Sequence, residues 1–376
     1  MKKLFLASAV SALFAAPATV LAQAKPGAVP TLDKVLEASG ISVSGYIDIG
    51  YTRADRNVEA GIGTPAVAPR VFDSQNNSFG LRQFGLTIAK QPKEGFGGLV
   101  NFTAGNDAQL IHSFSGAVPD TSLFDLTQAY AQYATGSLTL IAGKFVTLHG
   151  TEVIASTGNF NISRSILFGS VPFTHTGVRG TWALSDTINL IFGLNNGLDQ
   201  LTDSNKAKTV ELGATLNPIK PLNIAISAYS GKETVPFATP GAPDAARTSV
   251  NAVVSFAISD PLSVGAEVLN VSQEAPGGGP KAKYSGLAFY GTYMLTPKYR
   301  ATLRVESFDD KDGLRFNTVD TKYREVTVTG AYLPADNFEM RAEVRRDQAS
   351  NPVYTSFDGA TSKTLMTVAL QGLYKF

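Results

Sequence analysis

The chain contains no cysteine among its 376 residues, which excludes disulfide staples and thiolate metal sites. Charge is also scarce. Asp, Glu, Lys and Arg make up 17% of the sequence, against roughly 25% in an ordinary soluble domain. The signs nearly cancel: the formal charge is +1, and it becomes −1 once Lys2 and Lys3 are set aside. No basic patch is large enough to neutralise a phosphate backbone, so nucleic acid is not an expected partner. There are three histidines, His112, His149 and His175, and no two fall at ligand spacing, so neither a metal nor another cofactor is expected. Beyond residue 23 no run approaches the ~20 consecutive apolar residues of a membrane-spanning helix. Glycine, with 35 residues, and aromatics, at 10%, are plentiful.

The N-terminus has the pattern of an export signal. Lys2 and Lys3 precede the apolar run "LFLASAVSALFAA", and "TVLAQA" follows with small residues at Val20 and Ala22. Cleavage near Ala22 is expected, with residues 1–22 as the signal peptide and 23–40 as a periplasmic linker. Within that linker Leu32, Val35 and Leu36 have helical spacing, and Thr31 is placed to act as N-cap. A short helix at the periplasmic rim suits this segment better than a plug in a pore.

From Ile41 the period changes from 3.6 to 2. "ISVSGYIDIGYT" sets Ile41, Val43, Ile47, Ile49 and Tyr51 opposite Ser42, Ser44, Asp48 and Thr52. The alternation is sharpest in "NFEMRAEVRR", where Phe338, Met340, Ala342 and Val344 oppose Glu339, Arg341, Glu343 and Arg345. A face with four ionisable residues in a row cannot be a sandwich core. Connections alternate too. Seven short turns, such as "ATG" at 134–136 and "PADN" at 334–337, are interleaved with eight longer links, among them 55–78, 106–123 and 146–170. The fold class expected is therefore all-β: a transmembrane antiparallel up-and-down β-barrel over 41–376, with about sixteen strands, short periplasmic turns and long extracellular loops. Its outward faces are nearly free of charge through their middles, as lipid demands.

The final stretch "VALQGLYKF" keeps the alternation to the last residue. Chain ends usually fray, but a closed barrel in lipid must pair its last strand with its first. Tyr374 and Phe376 are then members of a periplasmic aromatic girdle and resemble the C-terminal signal read by the barrel assembly machinery.

A barrel of about sixteen strands is too wide for its side chains to fill, so a water-filled channel for small hydrophilic solutes is the default function. Lumen parity falls to polar residues, including Arg300, Arg304, Arg341 and Arg345 with Glu211, Glu267, Glu306 and Glu325. The long link 146–170 combines His149, Glu152 and Arg164 with apolar Val153, Ile154, Phe160, Ile166 and Leu167. A loop of that make-up packs on something, and folded inward it would set charged groups across a constriction. Lys144, His175 and Arg179 complete the candidate pore-lining set.

The runs "LTQAYAQYATGSLTLIAGKF", "GTEV", "FNISRSILF", "PFTHTGVR" and "GLNNGLD" resemble the beta-barrel porin-2 (OmpL-like) family of Gram-negative outer-membrane proteins. The resemblance implies a one-chain porin in the outer membrane, with Lys144, Glu152, Arg164, His175 and Arg179 as matching positions of unassigned role. It implies no substrate, and homotrimer and monomer both remain open. Two other readings stand beside the porin. A barrel enzyme would need a nucleophile, a base and an orienting group, and no motif supplies them. A structural or ligand-binding barrel with a closed pore would use the Gly- and Pro-rich links "PGGGPKAK" and "ATPGAPDAAR" for display.

Overall fold

In the computed structural model the residues described are 31–56, 70–73, 75–114, 122–235 and 242–376. The expected signal peptide, 1–22, lies outside them. Residues up to Gly40 and from Ile41 onward form two separate units. In the first, a helix runs from Leu32 to Ser39 and ends on Gly40, whose φ of 67° lets its N–H turn back to the carbonyls of Leu36 and Glu37. Thr31 stands at the N-cap with extended backbone, but its side chain makes no capping bond.

The second unit is a barrel. Its strands are β1 (Ser42–Ala54), β2 (Ser78–Lys90), β3 (Gly95–Ala104), β4 (Phe124–Thr135), β5 (Leu138–Val146), β6 (Thr174–Ser185), β7 (Ile188–Asn195) and β8 (Thr209–Ile219). They continue as β9 (Leu222–Thr234), β10 (Asp244–Ser259), β11 (Leu262–Gln273), β12 (Ala282–Thr296), β13 (Tyr299–Asp310), β14 (Thr321–Ala335) and β15 (Phe338–Ala349). A small hairpin, β16 (Tyr354–Thr355) and β17 (Thr361–Ser362), sits in the last long loop before β18 (Thr364–Lys375). Each barrel strand pairs antiparallel with its neighbours in sequence, and β1 pairs with β18 to close a ring of sixteen. The fold class, strand number and alternation of short and long connections expected from the sequence all hold.

The wall follows the period-2 rule. In β14, Tyr323, Glu325, Thr327, Thr329 and Ala331 are buried, while Arg324, Val326, Val328, Gly330 and Tyr332 between them are exposed. The exposed set carries the aliphatic residues that a lipid-facing surface requires. A bulge in β2 breaks the alternation: Asp48 pairs with Gln83 and Ile49 with Leu81, so the consecutive Arg82 and Gln83 are both buried.

The seam between first and last strands is tight. Phe376 and Gly45 exchange both backbone hydrogen bonds, at 2.8 and 2.9 Å. A side chain at Gly45 would collide with the Phe376 ring, since an added Cβ would lie 2.5 Å from its Cζ. The ring covers the bare glycine and stacks with Phe84 and Tyr374 at 6.3 and 6.2 Å.

Candidate functional site

The loop between β5 and β6, residues 147–173, is tied to the inner wall along most of its length. It first meets β9 and β10. Leu148 donates its N–H to the Tyr229 hydroxyl at 2.8 Å, and His149 lies between Ser227 and Ser249 at 2.7 and 2.8 Å. Gly150 N–H donates to Asn251 and Thr151 N–H to Glu267 on β11. The chain then crosses to the opposite wall, where the Ser156 hydroxyl donates to Asp48 at 2.5 Å and the Gln83 amide donates to the Ile154 carbonyl at 3.0 Å. It returns along β15, β14, β13 and β12.

On that return two wall carboxylates each accept a pair of adjacent loop N–H groups. Glu343 takes Ile162 and Ser163 at 2.6 and 2.9 Å, and Glu306 takes Ile166 and Leu167 at 2.8 and 2.7 Å. Hydrogen bonds to charged acceptors contribute about 1.5–3 kcal/mol each when buried. These clamps also satisfy backbone donors that an irregular segment inside a barrel would otherwise leave unmade. Beside them Leu167 joins an apolar cluster with Leu269, Tyr284, Ala288 and Phe308.

The predicted arginines are all engaged. Arg304 is fully buried and binds Glu152 at 2.7 Å, Glu325 at 3.0 Å and the Ser163 carbonyl at 2.8 Å. It thus joins loop to wall. Arg345 pairs with Asp347 at 2.7 Å and donates to the Arg164 carbonyl at 2.5 Å. Arg341 pairs with Glu339 at 2.6 Å and reaches the Asn161 carbonyl at 3.3 Å. Arg300 also pairs with Glu339 and lies 4.6 Å over the Phe160 ring. Arg179 makes a two-pronged bond to Glu211 at 2.5 and 2.8 Å and sits 4.2 Å over Phe145. Lys144 pairs with Asp125 at 3.2 Å. Glu152, besides meeting Arg304, accepts the N–H of Ser165 within its own loop.

Arg164 has no carboxylate in bonding range among the described residues. It folds back to the carbonyls of Val153 and Ile154, at 3.1 and 3.0 Å, and lies over the rings of Phe72 and Phe168. Burial holds its pKa below the ordinary arginine value, with Glu152, Asp107 and Asp48 opposing that shift. It braces the loop from within. His149 is pushed down to about 3 by burial, so it is neutral at physiological pH. His175 stacks 4.4 Å from Tyr229, whose ring also meets the edge of His149 at 4.6 Å, and its Nδ1 lies 3.2 Å from the Gly197 carbonyl. Burial pushes Asp107, in the second long loop, up to about 8, although Arg82 opposes the shift. Gln83 donates to Asp107 at 2.8 Å.

Sequence reasoning missed Asp48, Gln83, Tyr229 and Glu343 as partners of this loop. Their bonds to it span 71 to 181 residues of sequence, and no local period carries such a signal. Phe72 is a further surprise: it reaches in from the first long loop to pack with Ile111, Ile154 and Phe168.

The periplasmic halves of β5 to β10 form a different wall. Thr139 pairs with Thr181, Asn189 with Thr215, and Asn223 with Ser255. These residues are half-buried or exposed, and Asn189 donates to Thr215 at 3.0 Å. Uncharged groups therefore line this part of the lumen, the polar ones interspersed with Ile191 and Ala225, which pair with Thr181 and Thr215.

The chain resembles several solved outer-membrane barrels in fold. The outer-membrane channel DcaP of Acinetobacter baumannii aligns with a TM-score of 0.58 and 16% identity, covering 89% of this chain and 97% of that one. An anion-selective porin from Comamonas acidovorans gives 0.62 and 9%, covering 89% and 99%. OmpT, an outer-membrane protein of Vibrio cholerae in its trimer form, gives 0.57 and 13%, covering 89% and 99%. No curated protein matches by sequence. Residues 40–376 match the family model described as "Putative beta-barrel porin-2, OmpL-like". The chain belongs to that family: it is an outer-membrane porin, a channel for small solutes.

Proposed function

We propose that this porin passes small hydrophilic solutes passively and that the 147–173 loop sets the limiting width of its pore. The carrying observation is the loop's tether to opposite sides of the lumen, at Ser227, Ser249 and Asn251 on β9 and β10 on one side and at Asp48 and Gln83 on β1 and β2 on the other. A segment fixed at both walls narrows the passage permanently instead of flapping across it. Solutes then meet the neutral polar face of β5 to β10 on the periplasmic side. Among the described residues, buried Asp and Glu side chains outnumber buried Lys and Arg, which favours a weak preference for cations. The Comamonas barrel carries the opposite preference by its description. Tyr374 and Phe376 act as the assembly signal, residues 1–22 as the export signal, and a homotrimer is the assembly favoured by the likeness to OmpT in its trimer form.

Single-channel recording in a planar bilayer under a salt gradient tests this reading. Discrete steps of small conductance with a reversal potential of cationic sign are expected, grouped in threes for a trimer. A folded barrel that passes no current would instead establish the closed, ligand-binding alternative.

A further inference from the structure

Most arginines of the lumen wall meet a carboxylate, so cations without partners stand out on the other side of the wall. Arg53 on β1, Arg324 on β14 and Arg346 on β15 are exposed and lie at outward positions, each between two buried residues in its strand. None has a carboxylate, carbonyl or ring partner among the described residues. Their surroundings are apolar: Arg346 is paired across the sheet with Val326 on one side and Met366 on the other, and Arg53 with Val368. Arg324 pairs with Gln348, two residues beyond Arg346, so the two guanidinium groups are diagonal neighbours within reach of one ligand. Arg53 and Arg346 flank β18 at Met366 and Val368.

Two acids lie nearby and do not cancel the group. Asp55 accepts the N–H of Met366 at 2.8 Å, and Asp309 stands 3.9 Å from Lys322, a fourth outward cation. Strand position fixes the height of the arginines in the membrane. Arg346 lies eight residues beyond Phe338, and Arg324 eight from Tyr332 toward the long loops. At about 3.3 Å per residue and a tilt near 40°, that is roughly 20 Å above the periplasmic girdle, close to the far edge of an apolar band about 25 Å tall. Near the extracellular ends of β4 to β8 the exposed outward residues Phe124, Leu126, Val178, Leu194 and Val210 are apolar, while Lys232 on β9 and Lys283 on β12 are single outward cations. What sets the β14, β15 and β1 group apart is three arginines on strands that lie close together in the ring.

We propose that the extracellular end of the β14, β15, β18 and β1 outer face binds the phosphate group of a lipid in the outer leaflet. The aliphatic strip below, with Val328, Val344 and Leu370 exposed, receives its acyl chains. The guanidinium forks supply donors in the geometry that phosphate oxygens accept, and their stems lie along apolar surface. A cation at the edge of hydrocarbon without an internal partner is costly; a lipid phosphate offsets that cost, and chloride or water does so far less well.

The test is native mass spectrometry of the folded full-length barrel in neutral detergent, titrated with diphosphoryl lipid A, its dephosphorylated form, or inorganic phosphate. Diphosphoryl lipid A should bind at least about tenfold more tightly than the phosphate-free lipid, and the triple variant Arg53→Gln, Arg324→Gln, Arg346→Gln should lose about tenfold. Lys232→Gln, an exposed cation on β9, should change nothing, and the triple Arg→Lys variant should keep part of the affinity. Heat-modifiable gel mobility verifies that every variant is folded. Equal binding by the Gln triple, equal binding of phosphate-free lipid, or occupancy by free phosphate at the same concentration would overturn the proposal. So would a triple variant that loses its oligomeric mass while keeping its lipid, since the patch would then belong to a contact between copies.

Discussion

The two sides of the lumen are built from different chemistry. On β13, β14 and β15 the inward face is a ladder of Arg304, Glu306, Glu325, Arg341, Glu343 and Arg345. On the periplasmic halves of β5 to β10 it carries no charge: threonine, asparagine and serine alternate with apolar residues such as Ile191 and Ala225. By residue type alone, the ladder looks like the selectivity element of the pore. The contacts indicate otherwise, because its arginines are matched to acids and Glu306 and Glu343 accept loop N–H groups. Charge in this barrel holds structure, and the neutral wall is left to face solute.

The sharpest way to break that contrast is Arg304→Ala. It strands Glu152 and Glu325 in the interior, and removal of one partner from a buried pair costs roughly 3–5 kcal/mol. Heat-modifiable melting should show a large drop, and channel current should become larger and noisier as the loop detaches. If the ladder served ions instead, melting would hardly move while selectivity changed.

Acid should loosen the same loop from its β9 and β10 end. The folded-state pKa of His149 lies near 3, below the ordinary histidine value of 6.5. Its contribution to stability is therefore present above about pH 6.5 and is lost as pH falls toward 3. Protease cleavage within 147–173, followed from pH 7.5 to 4, should accelerate in the parent and much less in His149→Gln. Matching slopes in the two proteins would exclude His149 as the cause.

The smallest effect belongs to the neutral wall. Thr215→Asp keeps an acceptor for the Asn189 amide and should leave melting within about ±0.5 kcal/mol, as for most substitutions outside packed cores and buried ion pairs. It should move the reversal potential toward stronger cation preference. A stability loss like that of Arg304→Ala, with the potential unchanged, would mean that the two walls do not divide their work as described.

How much of this is legible in the sequence follows from the range of each interaction. Strands and turns are local, so the alternation of Phe338 to Arg345 by itself marks both a strand and its charged inward face. The same parity puts Arg304 and Arg345 correctly inside. It cannot tell that they are neutralised, because the partner can stand on the next strand, as Glu325 does for Arg304, or in a loop, as Glu152 does. The bulge that buries Arg82 beside Gln83 is likewise invisible to a strict period of two. Apolar Ile154, Ile166 and Leu167 signal that the loop packs, yet nothing in them names Phe72 or Leu269 as the surfaces met.

The Phe376–Gly45 seam has a kinetic consequence. Every other strand pair in the ring joins near neighbours in sequence, but this one joins the two ends of the barrel, the longest loop the chain can close. Neighbouring strands can zip together in order and still present two bare edges, one at each end of a curved sheet. Of all the strand pairs this one carries the largest chain-closure cost, so it is expected to form last. Until then the intermediate exposes unpaired backbone that would stick to any other strand, so the time between synthesis and closure is when this protein is most in need of an escort.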